Sequence, residues 1–218
     1  MPSPNRLTIL ASFALFSMLG LSACGTRGSG VLAIEERSLE PFSSIEFGGA
    51  LDLVVHVGAS EQKVVIRGDD NIVPEISTRV SGDKLIVDHR GWMRPELTLE
   101  LEVWVPSLEG IDASGATNIE VEGLVGERFD LELSGASDAS LRGHVDRFDL
   151  DLSGASDVDA RGLEAASVNV DMSGAGSAKV WATRSLDVDV SGAGEVEYWG
   201  EPSEVEQNVS GAGSLRKH

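Results

Sequence analysis

From Phe129 onward, apolar and polar residues alternate in short bursts that return at a near-constant interval. Phe129, Leu131 and Leu133 are followed by Phe148, Leu150 and Leu152, then Val168, Val170 and Met172, then Leu186, Val188 and Val190. A period of two marks a strand with one buried face. Each burst therefore predicts a strand whose intervening residues, Glu132, Asp151, Asp171 and Asp189 among them, point outward. Every burst ends in the same corner: Ser-Gly-Ala begins at Ser114, Ser134, Ser153, Ser173, Ser191 and Ser210, at spacings of 20, 19, 20, 18 and 19 residues. Beyond it the alternation resumes, at Ile119 and Val121, Ala139 and Leu141, Val158 and Ala160, Ala178 and Val180, and Val196 and Tyr198. A second corner follows at Gly123, Gly143, Gly162, Ala182 and Gly200, and it alone absorbs the variation in period.

A repeat of about this length with two strands in each copy predicts the stacked coils of a solenoid. Coils stack at the strand spacing of about 4.8 Å, so each must turn at the same place. Glycine supplies backbone angles closed to other residues, and serine can bond its hydroxyl to the turn's own backbone. The expected fold is all-β: a right-handed parallel β-helix of about six coils over residues 106–218. Residues 31–105 are rich in strand signals but off the period, and are expected to cap the N-terminal end of the same domain. Within them Gly48-Gly49-Ala50 reads as a degenerate first corner, a hairpin is expected about Ser81-Gly82-Asp83, and residues 97–105 alternate as a strand.

The first 24 residues carry one cation, Arg6, an apolar run from Leu7 to Leu21 and small residues before Cys24. This is a secretory signal over residues 1–23. Leu21-Ser22-Ala23-Cys24 resembles the lipobox of bacterial lipoproteins, which implies that Cys24 is lipidated and holds the chain on a membrane through its acyl chains. Cys24 is the chain's one cysteine, so no disulfide is expected. Residues 24–30 read as a flexible glycine-rich tether. Gly25 is not the aspartate that signals inner-membrane retention in lipoproteins similar to this one, which favours the outer membrane.

The net charge of −19, or −20 once Arg6 leaves with the signal, argues against nucleic acid and against adsorption to anionic lipid headgroups. It leaves divalent cations and basic partners as the favoured electrostatic ligands. Asp112, Glu132, Asp151, Asp171, Asp189 and Asn208 share one position of successive coils. That file is expected to be a solvated stripe opposing sideways aggregation, with weak calcium bridging as the alternative. His56, His89, His144 and His218 share no metal-ligand spacing, and no base recurs at a fixed offset from the serines. No catalytic residue, metal site or cofactor is therefore expected. A polysaccharide-active β-helical enzyme is the least favoured class.

Two non-enzymatic classes remain. One is a binding or adhesion module for an unidentified surface glycan or protein, using a long stacked face or the variable corners where Arg128, His144, Arg147 and Arg184 lie. The other is a structural scaffold of the envelope assembling through its β-helix. Exposure of Trp92, Trp104, Trp181 and Trp199 on one face would favour the first, since aromatic rings stack on sugars. Phe42-x-x-Ile45-x-Phe47, Pro106-x-Leu108-x-x-Ile111, the repeated Ser-Gly-Ala-Ser or Ser-Gly-Ala-Gly corners and the close at Val196–Pro202 resemble the putative auto-transporter adhesin, head GIN domain family. The resemblance spans residues 38–216. It implies a β-helical surface domain and brings no catalytic residues with it.

Overall fold

The alternating apolar residues do line a continuous interior: from Phe129 to Val190, none of the twelve that precede the corners is more than 4 % exposed. The computed structural model describes residues 25–218; Cys24 and the signal segment lie outside the described residues. Parallel strands stack in register through the corner serines and glycines. Ser44–Gly49 pairs with Gly110–Gly115, followed by the C-terminal portions of Asn118–Gly135, Asp138–Gly154, Asp157–Gly174 and Ser177–Gly192, and by Glu204–Gly211. Gly48 pairs with Ser114 and Gly49 with Gly115, so the degenerate first corner is a true one. The six Ser-Gly-Ala corners bound about five complete turns, where the sequence suggested six coils.

The corner has one recurring bond. The N–H of Ala136, Ala155, Ala175, Ala193 and Ala212 donates to the carbonyl of the preceding coil's corner glycine, each at 2.8 Å. Those glycines sit at positive φ, from 117° at Gly154 to 143° at Gly174. Positive φ alone favours glycine, and space requires it too: a Cβ on Gly154 would lie 2.3 Å from the Gly135 carbonyl oxygen.

The expected role of the corner serines needs correction. Among Ser114, Ser134, Ser153, Ser173, Ser191 and Ser210, only Ser210 makes a side-chain hydrogen bond, and it does so to Val190 O of the previous coil at 3.4 Å. The bonded hydroxyls lie three residues later, where the chain has turned inward. Thr117 donates to the Leu51 carbonyl, and Ser156 Oγ accepts the Ser137 N–H at 3.2 Å. Thr117, Ser137 and Ser156 are buried, so their hydroxyls need such partners.

The second corner is also more than a loop. Leu124–Gly126 pairs with Gly143–Val145, which pairs with Leu163–Ala165, which in turn continues to Trp181 and Ala182. Each coil thus has a short third side, and Leu124, Val145, Leu163 and Ala165 add a further buried file. The shifts in register fall around this side, as the variable spacing predicted.

In the cap, Ile76–Ser81 and Lys84–His89 form the expected hairpin, with Gly82 at φ 68°. Lys84–His89 then pairs parallel to Ser44–Gly49. On the opposite face Glu100–Val105 pairs parallel to Asp52–Val57 and antiparallel to Lys63–Asp69, which carries Leu32–Arg37 as an antiparallel edge. The segment expected to be a flexible tether is docked from Thr26 onward. Thr26–Arg27 pairs with Met93–Arg94, and Gly30 N–H donates to Asp69 Oδ1 at 2.7 Å. The other Asp69 oxygen accepts Glu96 N–H at 3.0 Å and Leu97 N–H at 3.1 Å. Burial opposes the Asp69 charge, but these backbone donors outweigh it and hold the pKa below the usual carboxylate range. Glycine here serves close approach, since a Cβ on Gly28 would lie 2.4 Å from Asp69 Oδ2.

Gly154→Val is expected to destabilise by about 1–3 kcal/mol or more through corner strain, lowering the melting temperature by several degrees. Two glycines inserted after Asp146, an exposed residue outside the paired register, should cost far less, because loop length enters only logarithmically. Thermal melts of the two variants check this, and equal losses would contradict the coil register.

Candidate binding faces

Strand alternation sends the polar residue of each pair outward, and parallel register stacks those residues into files. On the first face the acidic file begins one rung earlier than the sequence suggested. Glu46 pairs with Asp112, then come Glu132, Asp151, Asp171, Asp189 and Asn208. Glu46 stands two residues before the Gly48-Gly49-Ala50 corner, as Glu132 stands two before Ser134. A second file, Asp130, Asp149, Asn169, Asp187 and Glu206, runs beside it.

The end of this face nearest the cap is neutralised. Lys84 Nζ lies 3.0 Å from Glu46 Oε2, and that hydrogen bond raises the lysine pKa. Arg147 grips Asp149 through two bonds of 2.7 and 2.8 Å, and Arg128 Nε reaches Asp130 at 2.6 Å and Asp149 at 3.1 Å. Although partial burial opposes its charge, Asp149 is held below the usual range by Arg147 and then Arg128. Arg128 and Arg147, expected to offer cationic contacts at the variable corner, are thus turned onto the carboxylates of their own face. Arg184 instead donates to Ser167 Oγ at 2.8 Å, and His144 is exposed.

Further along, carboxylates dominate. Partial burial, then the charges of Asp171, Asp149 and Asp130, push the Asp151 pKa up. Asn208 relieves one end by donating to Asp189 Oδ2 at 2.9 Å. Glu132, Asp151, Asp171 and Asp189 line a shallow groove with Ser153, Ser173 and Ser191. Among the described residues no three His, Cys, Asp or Glu side chains converge to hold a metal ion.

Aromatic residues mark the outward surface near the second corner at both ends of the stack. His56 stacks on Trp104 with ring centroids 5.1 Å apart, and Lys63 Nζ lies 5.3 Å from the Trp104 ring centroid. At the other end Trp181 pairs in register with Trp199. Trp199 is stacked by His218 at 4.5 Å and approached by the Arg161 guanidinium at 5.5 Å. Trp181 is 38 % exposed, whereas Trp104 and Trp199 are half-buried. Trp92 stands apart, in the cap. Trp181 and Trp199 thus adjoin at one end of the solenoid and Trp104 lies at the other, with Trp181 the most open of the three. Their partners His56, His218 and Arg161 could not be assigned from the chain, since their pairing depends on which coils adjoin.

Because Asp151 has a raised folded pKa, its charge costs stability above that pKa, and protonation removes the cost as pH falls. Asp151→Asn is accordingly expected to raise the melting temperature by about one to two degrees at neutral pH in low salt. The gain should shrink toward acid pH and with added monovalent salt. Calcium and magnesium chlorides at matched ionic strength should give superimposable melts. A calcium-specific rise abolished by Asp151→Asn with Asp171→Asn would instead establish bridging by the ladder.

Among solved structures of similar fold, a putative adhesin from Bacteroides fragilis NCTC 9343 shares 21 % identity, with a TM-score of 0.74 over 89 % of this chain and 100 % of its own. A putative adhesin from Parabacteroides distasonis ATCC 8503 shares 20 % identity at a TM-score of 0.59, again over 89 % and 100 %. One from Parabacteroides merdae ATCC 43184 shares 20 % at 0.56, over 89 % and 99 %. No curated protein matches the chain. A family model matches residues 41–202, well over half of the chain, and the chain belongs to that family: the putative auto-transporter adhesin, head GIN domain family.

Proposed function

We propose that the protein is an envelope-anchored lipoprotein whose β-solenoid is a non-catalytic binding module of adhesin type. What supports the reading is the outward file, a rigid row of side chains repeated at every coil. Five turns at about 4.8 Å each present a flat face roughly 24 Å long, suited to a repeating glycan or to a protein surface. Trp181, exposed beside Trp199, is the side chain best placed to stack on such a ligand. The adhesin description of the family points the same way and favours an exported, surface location. Among the described residues no helix is long and apolar enough to cross a membrane. The anchor is assigned to Cys24, with the outer membrane favoured.

A scaffold role has one observation in its favour. Glu204–Gly211 pairs with a single strand, Ser177–Gly192, and exposes Val205 (42 %) and Val209 (38 %) at positions that lie inside in earlier coils. Self-association through that edge would be lost in Val205→Lys with Val209→Lys.

Two measurements test the proposal. Cys24→Ser should leave an unprocessed precursor that takes up no labelled palmitate, and labelling that survives the substitution would end the lipoprotein reading. A screen of glycans and surface proteins should return ligands whose binding falls up to about tenfold in Trp181→Ala, given the ~0.5–1.5 kcal/mol scale of aromatic contacts. Ligands bound equally well by that variant would move the site off this end of the solenoid.

A further inference from the structure

Between Lys84–His89 and Glu100–Val105 the chain reads Arg90-Gly91-Trp92-Met93-Arg94-Pro95. Trp92 is 72 % exposed. It stands at the rim of an apolar cleft of about 330 Å³ lined also by Leu51, Ile76, Val87, Met93 and Leu99. Arg90 and Arg94 flank it; both are exposed, and neither joins an ion pair among the described residues. In a chain of net charge −19 these two guanidinia make a small cationic spot beside an open tryptophan, bounded by Asp88 on one side and by Glu96, which pairs with Arg27, on the other.

Backbone pairing fixes where the loop lies relative to the start of the domain. Thr26 N–H donates to Trp92 O at 2.8 Å, and Thr26–Arg27 runs parallel to Met93–Arg94. Gly25 packs so closely that a Cβ there would lie 2.9 Å from the Trp92 carbonyl oxygen. Residue 25 follows Cys24 directly, so the proposed lipid attachment and Trp92 are neighbours, with no slack chain between them.

We propose that the Arg90–Arg94 loop is a membrane-seating element, in which Trp92 enters the bilayer interface while Arg90 and Arg94 meet anionic headgroups. An indole with an apolar body and a polar N–H partitions to that interface. Each arginine near an anionic leaflet strengthens docking about fivefold. Headgroups rather than a protein are the assigned occupant, because the patch pairs cations with an interfacial aromatic at the point where the chain meets its lipid. The general acidity of the domain repels anionic lipid, so only a local positive patch can seat it. The cap end then rests on the membrane and the binding faces stand away from it. The position of the loop beside an anchor rests on the Cys24 reading; its exposure and charge do not.

The full chain, isolated from membranes and reconstituted into vesicles of phosphatidylethanolamine and phosphatidylglycerol with brominated acyl chains, provides the test. Bromine should quench a tryptophan component that is lost in Trp92→Tyr and retained in Trp181→Tyr, with near-ultraviolet circular dichroism reporting that both variants are folded. Arg90→Ser with Arg94→Ser should lower the docked-to-free ratio of the loop about fivefold per arginine, an effect that disappears in purely zwitterionic vesicles. Equal fractional quenching of the parent and Trp92→Tyr would overturn the proposal, as would a protein ligand that shields Trp92 while vesicles do not. Palmitate labelling reports on the anchor separately. A chain without label whose Trp92 is still quenched would keep the loop and lose the anchor.

Discussion

The Ala136 N–H donates to the Gly115 carbonyl, the Ala155 N–H to that of Gly135, and the Ala175 N–H to that of Gly154. This one bond, repeated along the stack, ties each corner to the corner before it. It is possible only because a glycine occupies the site: the acceptor residue needs positive φ, and a Cβ on Gly135 would lie 2.1 Å from the Gly115 carbonyl oxygen. A substitution at one corner is therefore felt by two coils.

Register follows from that constraint, and surface chemistry follows from register. With every coil turning at the same point, Phe129 must stack beside Phe148 inside, at 6.1 Å between ring centroids, and Glu132 beside Asp151 outside. The inward file stabilises the stack by removing apolar surface from water. The outward file costs stability wherever like charges adjoin. The protein offsets that cost unevenly: Lys84, Arg128 and Arg147 neutralise carboxylates near the cap, while Asp151 and Asp171 remain beside one another. The same stacking brings Trp181 alongside Trp199 and Trp199 against His218. A binding face on this fold is thus a property of the repeat, composed one coil at a time.

Much of this could be read from the chain because a solenoid turns a long-range fold into a local pattern. The Ser-Gly-Ala corners and period-two bursts located both long sides, the degenerate corner at Gly48-Gly49 and the hairpin at Gly82. The short third side escaped because Leu124, Val145 and the pair Leu163 and Ala165 present only one or two inward residues per coil, too few to show a period. Leu32–Arg37 escaped because Leu32 and Ile34, its apolar residues, are exposed on an edge, so burial imposes no pattern there. The docking of residues 26–30 depends on Asp69 and Glu96, far away in sequence, and glycines chosen for close approach look like glycines chosen for flexibility. On the candidate faces the tryptophans and carboxylates were visible as residues, but their partners were not. Arg147 at Asp149 and Arg161 at Trp199 are set by side-chain reach across the folded surface.

The corner bond can be measured directly by amide hydrogen exchange. Ala136, Ala155 and Ala175 are exposed residues at turns, so burial alone gives their N–H groups no reason to exchange slowly. If the bond to the preceding glycine carbonyl holds the coils together, these three amides should exchange only through cooperative opening of the solenoid, as slowly as the strand amides of Leu131, Leu150 and Val170. Exchange of the three at the rate of the variable-corner residue Asp146, while the strand amides stay protected, would contradict the account.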